Sequence, residues 1–222
     1  MTPSLAGIAE RARLLRDRLF PGGEADRATT YWADLTDYHE TNDRDPIGLE
    51  RSRWIAEELV PAYDVSSLLE VGTNSGRNLA IVRATHPSVR VKGIDVAPAA
   101  LDYARRAHPE VEFELQDANE WSEAPDSWDG ILTMSVLDHI PDTTIDELAR
   151  NMLATARKCV ICVELWDGGE GTRGPYKYSR NTRDLFERHG AETLRWEESP
   201  GQYDTEGSLL WLYIGRPGRR AA

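Results

Sequence analysis

The sequence has few cysteines, and their placement argues against redox chemistry. Its two cysteines, Cys159 and Cys162, lie in the apolar run 158–165, which is typical of a buried strand. Residues three apart on a strand point to opposite faces of the sheet, so this Cys-x-x-Cys spacing favours core packing over a redox pair. The low cysteine content suits a reducing compartment, and we expect a cytoplasmic protein.

Long apolar runs are also missing. No stretch reaches the roughly 18 apolar residues of a transmembrane helix, so no membrane partner is expected. Residues 5–20 mix arginines with acids and contain no apolar core, so we expect no secretory signal there. Leu14, Leu15, Leu19 and Phe20 predict one apolar helix face, which we expect to dock on the main domain.

The sequence also lacks a cluster of basic residues. The net charge is -12, and the arginines are scattered among acids. Such a chain repels phosphate backbones, which disfavours a nucleic-acid partner and favours a small-molecule or cationic substrate. The 222 residues fit one α/β domain with a small extension, and we expect a monomer or a homodimer.

Apolar strand patterns alternate with helical patterns along most of the chain. We predict strands over 66–71, 89–94, 111–115, 128–135, 159–165, 193–197 and 208–214. Helices are predicted over 46–60, 76–85, 99–107, 145–157 and 184–189. This order predicts an α/β fold whose seven-stranded, mostly parallel sheet carries helices on both faces. The last two strands have no helix between them and predict an antiparallel hairpin.

Polar side chains at three helix starts predict caps. Asp45 precedes Pro46, a favoured first helical residue. Thr143 or Thr144 precedes the helix 145–157, and Asn181 or Thr182 precedes the helix 184–189.

The polar segment 21–45 is predicted to be a loop or lid, although it contains Tyr31, Trp32, Tyr38 and His39. We therefore divide the chain into an N-terminal helix and lid segment, residues 1–45, and a main domain, residues 46–222.

The glycine-rich turn between the first predicted strand and helix is the strongest functional signal. It runs from Glu70 through Gly72, Asn74 and Gly76 to Asn78. Glycines allow a tight turn close to a ligand, and the helix N-terminus favours a carboxylate or a phosphate equally. A dinucleotide fold would have G-x-G-x-x-G, which this turn lacks, but the motif alone leaves such a fold, or an empty turn, open.

The following strands also end in residues suited to a ligand. Asp95 ends the second strand, where an acid can accept hydrogen bonds from both ribose hydroxyls. Asp117 and Ala118 follow the third strand, and Ser135 and His139 follow the fourth. An acid at one strand end is often only a solvated cap. Four such features in strand order predict a cofactor site.

These residues resemble the motifs of class I, S-adenosylmethionine (SAM)-dependent methyltransferases over about residues 54–214. Their first motif usually reads E/D-x-G-x-G-x-G, and here Asn74 replaces the middle glycine. Asn74 and Asn78, the segment 136–141 and Tyr31-Trp32 resemble more closely the small methyltransferases associated with pseudaminic acid and other surface sugars. The resemblance implies the Rossmann-like class I methyltransferase fold.

The resemblance also implies a role for each motif residue. Glu70 would contact the ammonium group of SAM, Asp95 the ribose hydroxyls and Asp117 the adenine edge. The backbone at Gly72 and Gly76 would hold the methionine part. The remaining cofactor contacts would come from Trp32, Tyr38, Asn74, Asn78, Val96, Ala118 and Ser135. The aromatic residues of the lid have an equal alternative role in packing the N-terminal segment on the core.

His139 is the candidate general base, because its unperturbed pKa lies near neutrality and it follows the fourth strand. The alternative is a structural histidine in the following turn. Asp138 and Glu164 are secondary catalytic candidates, and His39 could reach in from the lid. No cluster of histidine, cysteine and acidic residues has metal-ligand spacing, so no metal is expected.

The resemblance implies an enzyme that moves a methyl group from SAM to an O or N atom of a small molecule, releasing S-adenosylhomocysteine (SAH). The acceptor would be a sugar, an amino sugar or a secondary-metabolite intermediate. One alternative is an NAD-type oxidoreductase or epimerase, which the missing third glycine and the absence of a Tyr-x-x-x-Lys pair disfavour. Another is a non-catalytic SAM-binding module.

Overall fold

The computed structural model describes residues 23–35, 38–174, 176–202 and 209–218. The predicted helix over 5–20 lies outside these residues. Within the described ranges, none of the helices combines the length and apolar character needed to cross a bilayer.

The described residues form nine strands, and seven of them make up the sheet at the centre of the protein. The strands are β1 (Ser67–Val71), β2 (Arg90–Asp95), β3 (Glu112–Leu115), β4 (Trp128–Met134), β5 (Ala156–Trp166), β6 (Gly171–Gly174), β7 (Lys177–Ser179), β8 (Glu192–Glu198) and β9 (Leu209–Arg216). The sheet has the order β3-β2-β1-β4-β5-β9-β8, and β6 and β7 form a separate hairpin that the sequence did not predict. Strands β1 to β5 are parallel, whereas β9 is antiparallel to β5 and to β8. The predicted mostly parallel sheet with a C-terminal antiparallel hairpin is confirmed.

Helices precede β1, link three pairs of consecutive parallel strands and join β7 to β8. They are α1 (Glu24–Ala33), α2 (Tyr38–Arg44), α3 (Pro46–Trp54), α4 (Arg77–Thr85), α5 (Pro98–Ala107), α6 (Ile145–Thr155) and α7 (Thr182–Glu187). The prediction of a loop over 21–45 was wrong, because α1 and α2 occupy most of that segment. Helix α3 continues through a π-helical turn (Ile55–Leu59) into a last turn (Val60–Ala62), so the helix runs past Pro61.

The core lies on both faces of the sheet because neighbouring strand residues point in opposite directions. Leu68 of β1 belongs to the apolar cluster that includes residues of α4 and α5, such as Leu79 and Leu101. Leu69 belongs to the cluster on the other face, which includes Leu148 of α6. Helices thus cover both faces, as the sequence predicts for this fold.

The predicted caps have mixed outcomes. Asp45 accepts a hydrogen bond from the Gly48 amide across 2.6 Å, and Asn181 accepts bonds from two amides at the start of α7. Thr144 precedes α6 but makes no side-chain cap, because its hydroxyl donates to Asn119 Oδ1 across 2.6 Å instead.

Cys159 and Cys162 are both buried in the core, which confirms the packing interpretation. Burial raises the pKa of both thiols.

Candidate cofactor and active site

A cavity of about 430 Å³ opens where the parallel strands end, between these strand ends and the helices α1 and α2. This volume lies in the range of small-molecule sites. The cavity is lined by most of the residues that the sequence indicated: Trp32, Tyr38, Glu70, Gly72, Asn74, Asn78, Asp95, Val96, Asp117, Ala118, Ser135 and His139. Gly76, Asp138 and Glu164 do not line it.

Glu70 stands at the end of β1 on the cavity floor, and only 1% of its surface is exposed. The side-chain amide of Asn78 donates to its Oε1 across 2.5 Å, and the hydroxyl of Thr73 donates to its Oε2 across 2.8 Å. Ser52 in turn donates to Asn78 Oδ1 across 2.5 Å. Burial raises the pKa of Glu70 to about 7, against the lowering effect of these hydrogen bonds. These contacts fix the orientation of the carboxyl group. Its raised pKa means that it changes protonation state near neutral pH.

The turn after β1 depends on left-handed backbone. Gly72 and Gly76 have φ angles of 73° and 78°, and Asn74 has a φ of 48°. A Cβ atom on Gly76 would lie 2.4 Å from the Phe113 ring, so this glycine serves the packing of the turn against β3. Asn74 thus takes a left-handed conformation, which a small polar residue tolerates.

Asp95 ends β2 beside this turn. Its Oδ2 accepts the Asn74 amide across 2.7 Å, and its Oδ1 accepts the Ala97 amide across 2.9 Å. Burial raises the pKa of Asp95, whereas the amide hydrogen bonds lower it. The side chain thus joins the glycine turn to the start of α5 and still lines the cavity.

Asp117 closes the cavity at the end of β3. Its Oδ2 accepts the hydroxyl of Thr29 across 2.6 Å, which ties α1 to the sheet edge. Its Oδ1 accepts the backbone amide and the side-chain amide of Asn119, both across 2.9 Å. Helix α1 therefore lies above this end of the cavity.

Ser135 and Val136 form the wall after β4, and Ser135 has a left-handed φ of 52°. Glu164 lies behind this wall, where its Oε2 accepts the amides of Val136 and Leu137 across 2.9 and 3.0 Å. Asp138 is also buried behind the wall. Both acids were expected to be secondary catalytic groups, but neither of them lines the cavity.

His139 lines the cavity, and both ring nitrogens face protein groups. Its Nδ1 lies 3.2 Å from the carbonyl oxygen of Tyr176, and its Nε2 lies 3.6 Å from Asp138 Oδ1. The ring packs on Trp32 with centroids 4.0 Å apart, and Trp32 packs on Tyr31. His139 thus connects α1 to the wall after β4.

Two buried arginines also line the cavity and were missed by the sequence analysis. Arg77 donates its Nε to Ser52 Oγ across 3.0 Å and a terminal nitrogen to the carbonyl oxygen of Asn42. Its place directly after Gly76, at the first residue of α4, is a signal that could have found it. Arg51 donates to the carbonyl oxygen of Gly201 across 2.6 Å, a contact between distant residues that leaves no local signal.

Comparisons with known proteins agree with this geometry. Residues 68–158 match the family described as methyltransferase domain. A relative named trans-aconitate 2-methyltransferase, from Methylobacterium radiotolerans, is 36% identical over 97 residues, which make up 42% of this chain. The match spans only 36% of that relative's length.

Solved structures show the same fold at low identity. The N-methyltransferase NodS from Bradyrhizobium japonicum has a TM-score of 0.65 at 19% identity, covering 80% of this chain and 99% of that one. The magnesium protoporphyrin IX methyltransferase from Synechocystis, solved with bound SAM, has a TM-score of 0.64 at 11% identity, covering 88% and 98%. The chain therefore has the Rossmann-like class I methyltransferase fold. Its central part matches the methyltransferase domain.

Proposed function

We propose that this protein is a SAM-dependent methyltransferase that acts on an O or N atom of a small molecule. One observation carries the proposal: Glu70, Asp95 and Asp117, from the ends of three adjacent strands, line one cavity. We assign each acid to a different hydrogen-bond donor of SAM. The family match over residues 68–158 and the fold support the same function.

The groups in the cavity fit SAM better than a dinucleotide. SAM carries an ammonium group and a sulfonium, and both are favoured by a nearby carboxylate. Glu70 lies beside the glycine turn, which is where a dinucleotide fold places the pyrophosphate. A carboxylate there would repel that phosphate, so the NAD-type alternative is disfavoured by charge.

Residues at the β1 and β4 ends would hold the methionine part. Glu70 binds the ammonium group. The main role of Asn78 is to orient the Glu70 carboxyl group through its hydrogen bond. The backbone of the turn from Gly72 to Ser75, together with Ser135, would surround the chain of the amino acid. The guanidinium of Arg77 lies at the same end and suits the carboxylate.

Residues at the β2 and β3 ends would hold the adenosine part. Asp95 accepts the ribose hydroxyls, Val96 packs on the adenine, and Asp117 with Ala118 contacts the adenine edge. Trp32 and Tyr38 lie on α1 and α2, which cover the cavity as a lid.

SAM supplies a methyl group on a sulfonium that is already reactive. The protein needs to align the acceptor atom with that methyl group, and such alignment supplies much of the rate. Because both nitrogens of His139 face Tyr176 and Asp138, we assign it to the wall that orients the reactants rather than to proton abstraction. The acceptor atom gains the methyl group and loses its proton to solvent or to a group on the acceptor side.

The acceptor is proposed as a small molecule of the sugar, amino-sugar or secondary-metabolite type. Asn74 and Asn78 carry the sequence resemblance to surface-sugar methyltransferases, and they support this class. The curated relative is named for trans-aconitate, so carboxylic acids belong in the same screen. The net charge of -12 makes a nucleic-acid acceptor the least favoured class.

Calorimetry with SAM, SAH and NAD tests the proposal. We expect heat of binding with SAM and SAH and none with NAD. Absence of binding and of any thermal shift with SAM would contradict the proposed function, and binding without turnover in an SAH-release screen would favour a non-catalytic SAM-binding module. The screen pairs sugar nucleotides, amino sugars and carboxylic acids with the same SAM concentration.

A further inference from the structure

Leu137 lies in the cavity wall after β4 and is held through both its backbone groups. Its amide donates to Glu164 Oε2 across 3.0 Å, and its carbonyl oxygen accepts a hydrogen bond from Arg180. Glu164 Oε2 also accepts the Val136 amide, and Arg180 also donates to the carbonyl oxygen of Ile140 across 2.8 Å. An acid and a base from two different segments thus hold one short piece of backbone.

Both side chains are removed from solvent. Glu164 is 2% exposed and Arg180 is 6% exposed. Hydrogen bonds are strong at such sites because water does not compete for the donors and acceptors, and those from the Arg180 guanidinium are also charge-assisted. Arg180 also pairs with Asp142 across 2.7 Å, which fixes the guanidinium beside the wall.

The held segment forms the cavity wall after β4. Ser135, Val136, His139 and Ile140 line the cavity, whereas Glu164 and Arg180 do not. The left-handed φ of Ser135 is a sparsely populated conformation for a serine and persists only when its surroundings hold it. The amide of Ser135 donates to the carbonyl oxygen of Val163 across 2.9 Å. The two buried side chains hold the residues that follow Ser135.

We propose that Glu164 and Arg180 are positioning residues for methyl transfer, which act by fixing the Ser135–His139 wall against the reactants. This inference rests on the proposed function, since the wall matters for rate only if the cavity holds a methyl donor. Neither residue touches a reactant. Their effect passes through the backbone of Val136, Leu137 and Ile140.

The surroundings of Glu164 favour its protonated form. Among the described residues, Glu164 Oε1 and the carboxyl oxygens of Asp138 make no well-formed hydrogen bond, and the hydroxyl of Thr133 is the polar neighbour of Glu164. Burial and the nearby charge of Asp138 raise the pKa of Glu164 to about 8. The groups that face this pair are His139, Lys177 and Arg180 around Asp138, and Cys162 beside Glu164. The raised pKa favours the protonated form of Glu164, in which Oε2 accepts the wall amides and the proton lies on Oε1.

A glutamine copies this neutral form, because its carbonyl oxygen accepts and its amide donates. Glu164→Gln should retain kcat within about threefold and should remove any activity change that wild type shows above pH 8. Glu164→Met leaves two buried amides without an acceptor, and we expect kcat to fall about 10- to 100-fold, with a smaller change in SAM affinity. Arg183→Met, at a partly exposed arginine of the next helix, is the matched control and should behave as wild type.

Amide hydrogen exchange gives a readout that does not require activity. In Glu164→Met the amides of Val136 and Leu137 should exchange at least about tenfold faster than in wild type, while exchange in β1 stays unchanged.

Should that variant fail to fold, Arg180→Lys tests the same wall from its carbonyl side and should lower kcat more than it lowers SAM affinity. Unchanged exchange and kcat in these variants, or a Gln variant as impaired as Met, would overturn the inference. If the wild-type protein binds no SAM while Glu164→Met still shows the faster amide exchange, the proposed function is overturned instead.

Discussion

Asn78 and Glu70 form one buried unit, in which the amide of Asn78 donates to Glu70 Oε1 across 2.5 Å. The strand, the glycine turn and the first turn of α4 bring these two side chains together although they lie eight residues apart. The carboxyl group held in this way lines the cavity. A cation that enters there meets an oriented acid whose pKa is raised to about 7 by burial.

The affinity for SAM should therefore depend on pH through Glu70. The ammonium group of SAM binds the ionised carboxylate, so affinity should rise as Glu70 loses its proton. With a pKa of about 7, roughly one tenth of the carboxyl groups are ionised at pH 6, and we expect about tenfold weaker binding there than at pH 8. Calorimetry at pH 6, 7 and 8 measures this change.

Glu70→Gln is the control for that titration. It should bind SAM more weakly than wild type at pH 8, and its affinity should be flat between pH 6 and 8. The stability of the ligand-free protein should change in the opposite direction. The pKa of folded Glu70 exceeds the unfolded value near 4.5, so its contribution to stability is full below that value and is lost as pH rises through about 7. An affinity that falls with pH in wild type would contradict the assignment of Glu70 to the ammonium group.

Replacement of Asp95 by Ala should weaken SAM binding by about 1.5–3 kcal/mol, the value of hydrogen bonds to a charged group. The same carboxylate accepts the amides of Asn74 and Ala97, so the melting temperature must be measured beside the affinity. Asp95→Asn keeps the size and one acceptor oxygen, and should lose less. An Ala variant with wild-type affinity would place the ribose elsewhere in the cavity.

The sequence predicted the acids of the site because each follows an apolar strand directly. Parallel strands end at one edge of the sheet, so Glu70, Asp95 and Asp117 had to lie near each other once the βαβ order was recognised. The same argument predicted the seven-stranded sheet. These are local signals, joined by a topology that the alternating strand and helix patterns determine.

Contacts between distant residues could not be predicted in the same way. Arg180 reaches the carbonyl oxygen of Leu137, and Thr29 reaches Asp117, only because the chain has folded. Thr144 has the position of a helix cap, but its hydroxyl is oriented to Asn119 Oδ1 and accepts no amide of α6. Local rules fail where tertiary partners compete for the same polar group.

Two mechanisms assign different roles to His139, either a general base or a residue of the cavity wall. As a general base it would contribute about 10²–10⁴ in rate, so His139→Asn would lose that factor with SAM affinity retained. The contacts of both ring nitrogens favour a wall residue instead, and we expect His139→Asn to lose less than about tenfold in kcat. Single-turnover rates at saturating SAM measure the difference, and His39→Asn, at another histidine lining the cavity, is the matched control. A loss of a hundredfold or more confined to His139 would establish it as the base.

Gly76 should be intolerant of any side chain although it does not line the cavity. Its φ of 78° costs an alanine about 1–2 kcal/mol. An added Cβ would also lie 2.4 Å from the Phe113 ring, and overpacking of this kind costs about 1–3 kcal/mol. Gly76→Ala should thus lower the free energy of unfolding by roughly 2–5 kcal/mol, measured by denaturant titration. Gly174→Ala is the control, because a Cβ there would meet no atom within 4 Å, and it should change stability by less than about 1 kcal/mol. Equal effects at the two glycines would show that the turn before α4 is not held against β3.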